Sequence, residues 1–405
     1  MPKMNARTGL IFFLMLASFL FGMGFQSVRA GEDLESKLEV FLQVLDIIRN
    51  DYVDKKLDNT QLVYGSIKGL LTGLGDPYTR FMEPKAFKEM KIRLSGSYFG
   101  IGIYIGMKDE QLVVISPIAS TPADKAGLLA GDKIIKIDGK TTLHMALEEA
   151  VSLIRGPKGT PVTLGILRGK WKEPKDFVIE RDKIVIKSVE TPALKRSDIL
   201  YLKLNTFENQ SAADEVAAVL QKGQKSNVNK GLVLDMRNNG GGLLHNAVEI
   251  GSMFIAEGPI VYTVDRDKRR ESLDANGRLI WNKPVVVLIN GASASASEIL
   301  AGALKDTGKA KLVGTKTFGK ASVQSVRNLS DGSALLVTVA KYLTPNGDDI
   351  SKKGIQPDVV VNLPSAEANG DDKEMIPPPK DLEKDIQLQE AIKVLDKMII
   401  SAEAF

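Results

Sequence analysis

Residues 284–324 run PVVVLINGASASASEILAGALKDTGKAKLVGTKTFGKASVQ, and their pattern decides the fold of the larger part of the chain. Val285–Ile289 is an apolar, mostly β-branched run, as expected of a buried strand. Asn290-Gly291 breaks it. Small residues from Ala292 to Ser297 then open a helix, with Glu298 in its first turn, where a carboxylate suits the helix dipole. A strand–turn–helix unit can hold a hydroxyl at a helix N-terminus with backbone N–H groups beside it, the geometry that an acyl-transfer nucleophile needs. Ser293, Ser295 and Ser297 alternate with alanine here. Taken locally, the pattern favours a plain helix start with serine as cap. Assigning a nucleophile therefore turns on the rest of the chain.

At 405 residues and 43% hydrophobic, the chain is globular and long enough for two or three domains. The net charge of +4, with both signs interspersed, gives no nucleic-acid stripe. With no cysteine, disulfides, thiol nucleophiles and cysteine-bound metals are excluded. The only histidines are His144 and His245, too few for a histidine-rich metal site, and a Ser-His-Asp triad would have to use one of them.

Lys3 and Arg7 precede an apolar run from Leu10 to Phe25, followed by Ser27-Val28-Arg29-Ala30. A basic start, such a run and small or apolar residues before a cleavage point resemble a secretory signal peptide over residues 1–30. The run is shorter than the about 20 residues of a membrane span, and an uncleaved inner-membrane anchor over residues 10–25 is the second reading. Either way the protein is exported, with its body in the periplasm or another extracytoplasmic space. Residues 31–91 form a helical region: Leu34, Leu38, Phe41, Leu42, Leu45 and Ile48 recur at helical spacing, as do Leu62, Ile67, Leu70, Leu71 and Leu74. These helices are too short for a core of their own and must pack on a neighbouring domain or pair between subunits, so a homodimer or higher oligomer is expected. No chemistry is visible in this region.

From residue 92 to 184 the pattern shifts to short strands punctuated by glycine. Gly100-Ile101-Gly102-Ile103, the strand around Val113-Val114-Ile115, Pro117–Ala123, Ala126-Gly127-Leu128, Gly131-Asp132, Ile134–Ile137, the Asp138-Gly139 turn, a helix from Leu143 to Ile154 and a strand over Val162–Leu167 follow in order. This set resembles a PDZ domain of the bacterial-protease type, β-rich with short helices. The resemblance implies capture of a peptide's C-terminus by strand addition, with Phe99, Gly100, Ile101 and Gly102 as the carboxylate loop. His144 is expected to be an exposed or capping residue, and Arg168 a solvated edge charge.

Residues 185–362 form a larger α/β domain. The strand Ile199–Leu204, the helix from Ser211 to Leu220 and the strand Gly231–Asp235 lead into Met236-Arg237-Asn238-Asn239-Gly240-Gly241-Gly242, before a helix from Leu243 to Phe254. The glycine-rich turn lacks both the Gly-x-Gly-x-x-Gly spacing and the Gly-Lys-Ser/Thr ending of phosphate cradles. Exposed glycine N–H groups also suit an oxyanion hole, because the backbone can approach a developing negative charge closely. Together, Asp235–Gly241, Asn290–Ile299, Phe318–Gln324, Tyr342–Gly347 and Lys353–Asp358 resemble the carboxyl-terminal processing peptidases, or tail-specific proteases. The similarity runs from about residue 38 to 362 and departs only at Gly319-Lys320-Ala321-Ser322, where many relatives have Gly-Lys-Gly.

That resemblance implies a multi-domain α/β chain: N-terminal helices, the PDZ domain, a crotonase-like α/β protease core and a C-terminal helix. It implies Ser295 as nucleophile and Lys320, 25 positions later, as base. Free lysine titrates at about 10.4, so working near neutrality requires about 4 kcal/mol of differential stabilisation of the neutral amine. Burial among Phe318, Ala321 and Val323 could supply it. Gln324, four residues on, would share a face with Lys320 and orient the amine without adding the negative charge that would oppose its use as base. Gly241 and Ala296 would supply the oxyanion N–H groups. The chemistry requires no cofactor or metal. The partners are protein or peptide substrates bound by their C-termini, with no nucleic acid. His245, just after the glycines, is the competing base of a Ser-His hydrolase, and a non-catalytic PDZ adaptor or holdase is the rival from another class. Residues 363–405 comprise an acidic, proline-rich linker and a closing helix from Ile386, which docks on the body or joins a dimer contact.

Overall fold

A computed structural model of the chain describes residues 34–403, apart from 109–110, 119, 170, 227–229 and 364–380. The leader-like segment 1–30 and the linker from Pro364 to Pro379 lie outside the described residues. The chain divides into two units, residues 1–73 and 74–405.

In the first unit, helices span residues 34–51 and Asn59–Thr72. Asp58 caps the second: its side chain accepts the N–H groups of Thr60 at 2.9 Å and Gln61 at 3.1 Å, two of the donors that a helix start leaves unpaired. Neither the apolar spacing nor the cap gives this unit a core. The Asn59–Thr72 helix contains no buried residue, and Leu38, Phe41 and Leu42 stay exposed.

The second unit is built on a six-stranded sheet in the order Val189–Glu190, Ile199–Leu204, Gly231–Asp235, Val285–Ile289, Ala310–Gly314, Val359–Val360. All neighbours are parallel except the first pair. The continuous apolar runs are explained by burial on both faces, which helices on either side impose. Leu232, Leu234, Val285, Val287 and Ile289 pack against the helices Ala212–Lys225, Leu244–Ser252 and Ala296–Asp306. Val233, Val286 and Leu288 point the other way, onto Leu388, Ala391, Leu395 and Ile399 of the C-terminal helix Ile386–Glu403. That helix thus completes the core of its own chain. Each large apolar side chain it buries contributes about 1.5–3 kcal/mol.

A buried ionic cluster pins the same helix. Arg237 lies between Asp235 at 2.6 Å and Asp385 at 2.7 Å and also donates to Gln387 at 3.0 Å, while Tyr201 donates its hydroxyl to Asp235 at 2.7 Å. Arg237, Asp235 and Asp385 are all buried.

A second, antiparallel sheet contains Arg80–Met82, Ala334–Leu343, Pro259–Asp265, Arg270–Asp274 and Ser322–Asn328. Arg80 pairs with Leu336 across it. The stretch from Leu74 to about residue 91 thus belongs with this unit, although its sequence reads as part of the N-terminal helical region. Met82, Phe87 and Met90, the last two on the helix Pro84–Leu94, pack on Ala334 and Leu336.

The PDZ domain is a sheet of Ile103–Lys108, Gln111–Pro117, Lys133–Ile137, Pro161–Leu167 and Lys175–Glu180, with Lys140–Thr141 on Lys133–Ile137. It encloses Ile101, Leu112, Val114, Ile134, Val162 and Leu164. Ser97–Gly100 pairs with Asp182–Val185, so the chain enters and leaves the domain through one ladder. The PDZ helix is Leu147–Ile154, shorter than its apolar spacing suggests. Thr142 is tied to Ile134 O at 2.6 Å and Ile135 O at 3.0 Å, and His144 has φ 60°, a backbone that cannot continue into a right-handed helix.

Replacing Arg237 with Leu would leave two buried carboxylates without a cation. Breaking such a cluster is expected to lower stability by about 3–5 kcal/mol. Urea unfolding of Arg237→Leu checks this; a midpoint equal to that of the wild type would contradict it.

Candidate active site

A cleft of about 400 Å³ opens at the C-terminal edge of the parallel sheet. Ser295, Ala296, Gly241, Lys320 and Gln324 all line it, together with Tyr78, Arg80, Leu244 and Tyr342.

The three serines take separate roles. Ser293 is fully buried, donating its hydroxyl to Met236 O at 2.9 Å and accepting the Asn290 N–H at 3.0 Å. Ser297 is equally buried and donates to Asn239 O at 2.9 Å. Both stitch the turn that carries Ser295 to the glycine-rich loop, and Ser295 alone of the three lines the cleft. Ser295 has φ 55° and ψ −116° and precedes the first residue of the helix Ala296–Asp306. A non-glycine residue held there costs about 1–3 kcal/mol and persists only where its surroundings fix it. The Ser295 N–H donates to Glu298 Oε2 at 2.9 Å, and its carbonyl accepts the N–H groups of Glu298 at 2.8 Å and Ile299 at 2.9 Å.

Lys320 is half-buried on the loop before the strand Ser322–Asn328, its Nζ 4.7 Å from the Tyr78 ring centroid. Burial pushes its amine below the ordinary lysine range by penalising the charged form, and Arg80 pushes in the same direction. Asp76 and Glu298 oppose the shift without cancelling it. Gln324 lies on the strand itself, just after a register shift at Val323. Because Lys320 precedes that strand, the four-residue spacing does not stack the two on a common element. The Gln324 amide donates to Ser322 Oγ at 2.9 Å and Thr338 Oγ1 at 3.4 Å. Among the described residues no hydrogen bond joins Lys320 Nζ to Ser295 Oγ or to Gln324.

Gly241 is packed against the backbone around Ser295. A Cβ there would lie 2.6 Å from Ala294 O and 2.8 Å from Ala296 N, and its φ of 95° is one that L side chains rarely adopt. Its N–H is held by Asn239 Oδ1 at 2.9 Å, whereas among the described residues the Ala296 N–H has no acceptor. His245 is exposed on the helix Leu244–Ser252 and does not line the cleft, although its neighbour Leu244 does. His144 is likewise exposed.

In the PDZ domain, Gly100, Ile101 and Gly102 line a groove of about 60 Å³ with Ile103, Val151, Ile154 and Arg155. The carbonyls of Ile101 and Gly102 accept the N–H groups of Ala123 at 2.8 Å and Ile118 at 2.9 Å. Phe99 is about half exposed and is not part of the groove wall. Arg168 is no solvated edge charge. It grips the buried carboxylate of Asp132 at 2.6 and 2.7 Å and donates to Gly127 O at 2.8 Å, because Asp132 would otherwise be buried without a cation.

Four cleft features escape a reading of the sequence. Tyr78 and Arg80 reach the site through the pairing of Arg80–Met82 with a strand some 250 residues away, which no local pattern announces. Glu298 carries a signal, the Ser-x-x-Glu spacing of a capping box, but its further partners do not. Tyr342 is buried with its hydroxyl against the carbonyls of Ser295 and Lys320.

Residues 198–361 match Peptidase family S41, residues 113–168 a PDZ domain, and residues 24–86 the activating protease CtpB N-terminal domain. Over 323 residues the chain is 41% identical to a carboxyl-terminal-processing protease of Synechocystis sp., spanning 78% of this chain and 75% of that one. It is 42% identical over 336 residues to a carboxy-terminal-processing protease of Bartonella bacilliformis, spanning 82% and 76% of the two chains. A solved structure of a putative S41 protease from Bacteroides fragilis has a TM-score of 0.50 at 17% identity over 87% of this chain and 96% of its own, a likeness of fold. With that degree of identity across most of both chains, the protein belongs to the carboxyl-terminal-processing proteases of peptidase family S41, serine-type peptidases, and carries a PDZ domain.

Proposed function

We propose that this protein is an exported endopeptidase that takes the C-terminal tail of a protein substrate in its PDZ groove and cleaves upstream with a Ser295–Lys320 dyad. The observation that carries the reading is the convergence of Ser295, Ala296, Gly241, Lys320 and Gln324 on one cleft, with the Lys320 amine shifted toward its neutral form. The exposed position of His245, away from the cleft wall, weighs against a histidine base. The leader-like residues 1–30 support export, with Leu10–Phe25 either removed or kept as an anchor. The exposed apolar faces of the N-terminal helices support pairing between copies.

In this mechanism neutral Lys320 Nζ takes the proton of Ser295 Oγ as the oxygen bonds to the scissile carbonyl carbon. The carbonyl electron pair moves onto its oxygen, which accepts the Ala296 N–H and the Gly241 N–H once the latter leaves Asn239 Oδ1. Collapse breaks the C–N bond, and the leaving amine takes the proton from the Lys320 ammonium. Water then attacks the Ser295 ester and gives its proton to Lys320. The second collapse expels Ser295 Oγ, which recovers that proton. Gln324 would orient the Lys320 amine through its side-chain carbonyl without adding charge. The arrangement described here, with the Gly241 N–H on Asn239 and no bond between the dyad side chains, corresponds to a resting form.

Cleavage of casein by the wild type, Ser295→Ala and Lys320→Ala tests the dyad. Both variants are expected to lose on the order of 10⁴-fold or more in kcat while still binding C-terminal peptides. Activity surviving in Lys320→Ala would sink the mechanism.

The wild-type rate should rise with pH as Lys320 loses its proton. Because Arg80 lowers the pKa of Lys320, Arg80→Gln should move that rising limb to higher pH. A limb that stays in place, or moves to lower pH, contradicts this.

Gly241→Ala, which drives a methyl into the backbone on either side of Ser295, should lower kcat by about 10²-fold or more, the scale of a lost oxyanion donor. Its circular dichroism should be unchanged, and a wild-type kcat would show that the glycine is not needed.

A further inference from the structure

Ser295 and Lys320 sit on different loops, and among the described residues no hydrogen bond joins their side chains, yet their backbones meet the same two side chains. Glu298 is fully buried in the first turn of the helix that Ser295 heads. Its Oε2 accepts the Ser295 N–H at 2.9 Å and the Lys320 N–H at 2.9 Å. Its Oε1 accepts the Thr317 hydroxyl at 2.6 Å and the Gly319 N–H at 2.7 Å. A carboxylate offers about four lone-pair sites, and each is taken. On the opposite side, the hydroxyl of buried Tyr342 lies against the carbonyl oxygens of Ser295, at 3.2 Å, and of Lys320. The N–H groups of both residues therefore converge on one oxygen, and their carbonyls on one hydroxyl.

We propose that Glu298 and Tyr342 are positioning residues that fix the separation between the Ser295 hydroxyl and the Lys320 amine, acting through the two backbones without touching substrate. A helix cap would need only the Ser295 N–H, so the bonds to Lys320, Gly319 and Thr317 exceed that task. The same carboxylate pins Ser295 in its left-handed conformation, which needs such over-determination to persist. A deviation of about 1 Å between reacting groups can cost about 10²-fold in rate, and these two side chains set that distance. In Glu298→Gln, an NH₂ in the place of Oε2 would face the N–H groups of Ser295 and Lys320, and one in the place of Oε1 would face the Gly319 N–H and the Thr317 hydroxyl, so at least one backbone N–H loses its acceptor in either orientation. The variant also removes a negative charge that favours the Lys320 ammonium. Tyr342→Phe removes one oxygen and no charge.

The inference rests on the Ser295–Lys320 reading, so Ser295→Ala and Lys320→Ala run alongside as controls. Casein cleavage across pH, labelling of Ser295 by a fluorophosphonate, thermal unfolding and C-terminal peptide binding are measured on the full chain. For Glu298→Gln the expected result is a fall of about 30-fold or more in kcat and labelling rate, with KM and peptide binding within about twofold. Its rising pH limb should also move to lower pH, because a negative charge beside Lys320 is removed; the fall in kcat at unchanged KM is the readout that a merely structural role would not give. For Tyr342→Phe a fall of about tenfold or more in kcat, with the pH limb unmoved, is expected. Should Glu298→Gln not fold, Tyr342→Phe decides alone. Wild-type kcat in Tyr342→Phe, or in a folded Glu298→Gln, overturns the clamp while leaving the dyad standing. Activity in Ser295→Ala or Lys320→Ala overturns the dyad, and the clamp with it.

Discussion

A parallel sheet buried on both faces admits polar chemistry only beyond the ends of its strands, and the rest of this protein follows from that constraint. Three neighbouring strands in parallel register, Gly231–Asp235, Val285–Ile289 and Ala310–Gly314, must send their following loops to one edge. The first delivers the triple glycine, the second Ser295, the third Lys320. The loops then lock to one another. Asn238 and Asn290 exchange hydrogen bonds at 2.9 and 2.8 Å, and Phe318 N–H donates to Ser293 O at 3.0 Å. Gly314 passes so near Ile289 that a Cβ would lie 2.1 Å from its carbonyl oxygen. The site is a consequence of register before it is a set of side chains.

Under the proposed dyad, a lysine base makes the electrostatics of that edge demanding. Desolvation favours the neutral amine, yet Asp76 and Glu298 favour the ammonium. Were burial the only lever, the carboxylate that best fastens the loops would also spoil the base. Arg80 supplies a like charge beside Lys320 and offsets part of that cost. The residue arrives from the edge of a second sheet, which lets charge be set independently of the strands that lead to Ser295 and Lys320. Gln324, neutral and on that same sheet, adds polar contact without charge.

The strand runs, the glycine-rich turn and the Ser295 segment were legible in the sequence because each is local: β-branched residues, Asn-Gly, small residues before a helix. The PDZ strands were legible for the same reason. Arg80 was not, since it becomes part of the site only when its strand pairs with Leu336. Nor was the role of Glu298, whose local spacing announces a cap while three of its four donors lie some 20 residues away. Arg168 looked like an edge charge because Asp132, its partner, is buried by packing that a linear pattern cannot show. The C-terminal helix declared its apolar stripe but not its target, which the alternate face of the sheet supplies.

In the proposed mechanism, the step from the resting to the reactive arrangement is small in physical terms. The Gly241 N–H gives up one hydrogen bond to Asn239, a net loss of about 0.5–1.5 kcal/mol. The space beside Gly240 is open, and Gly241 has a φ of 95° that a side chain would resist, so glycine suits both positions. An oxyanion donor is worth about 2.7–4 kcal/mol in the transition state, more than the bond surrendered. On the proposed mechanism, consecutive glycines at the end of a strand would let a donor stay satisfied by Asn239 and still reach a developing charge, while Glu298 and Tyr342 hold the Ser295 and Lys320 backbones in place.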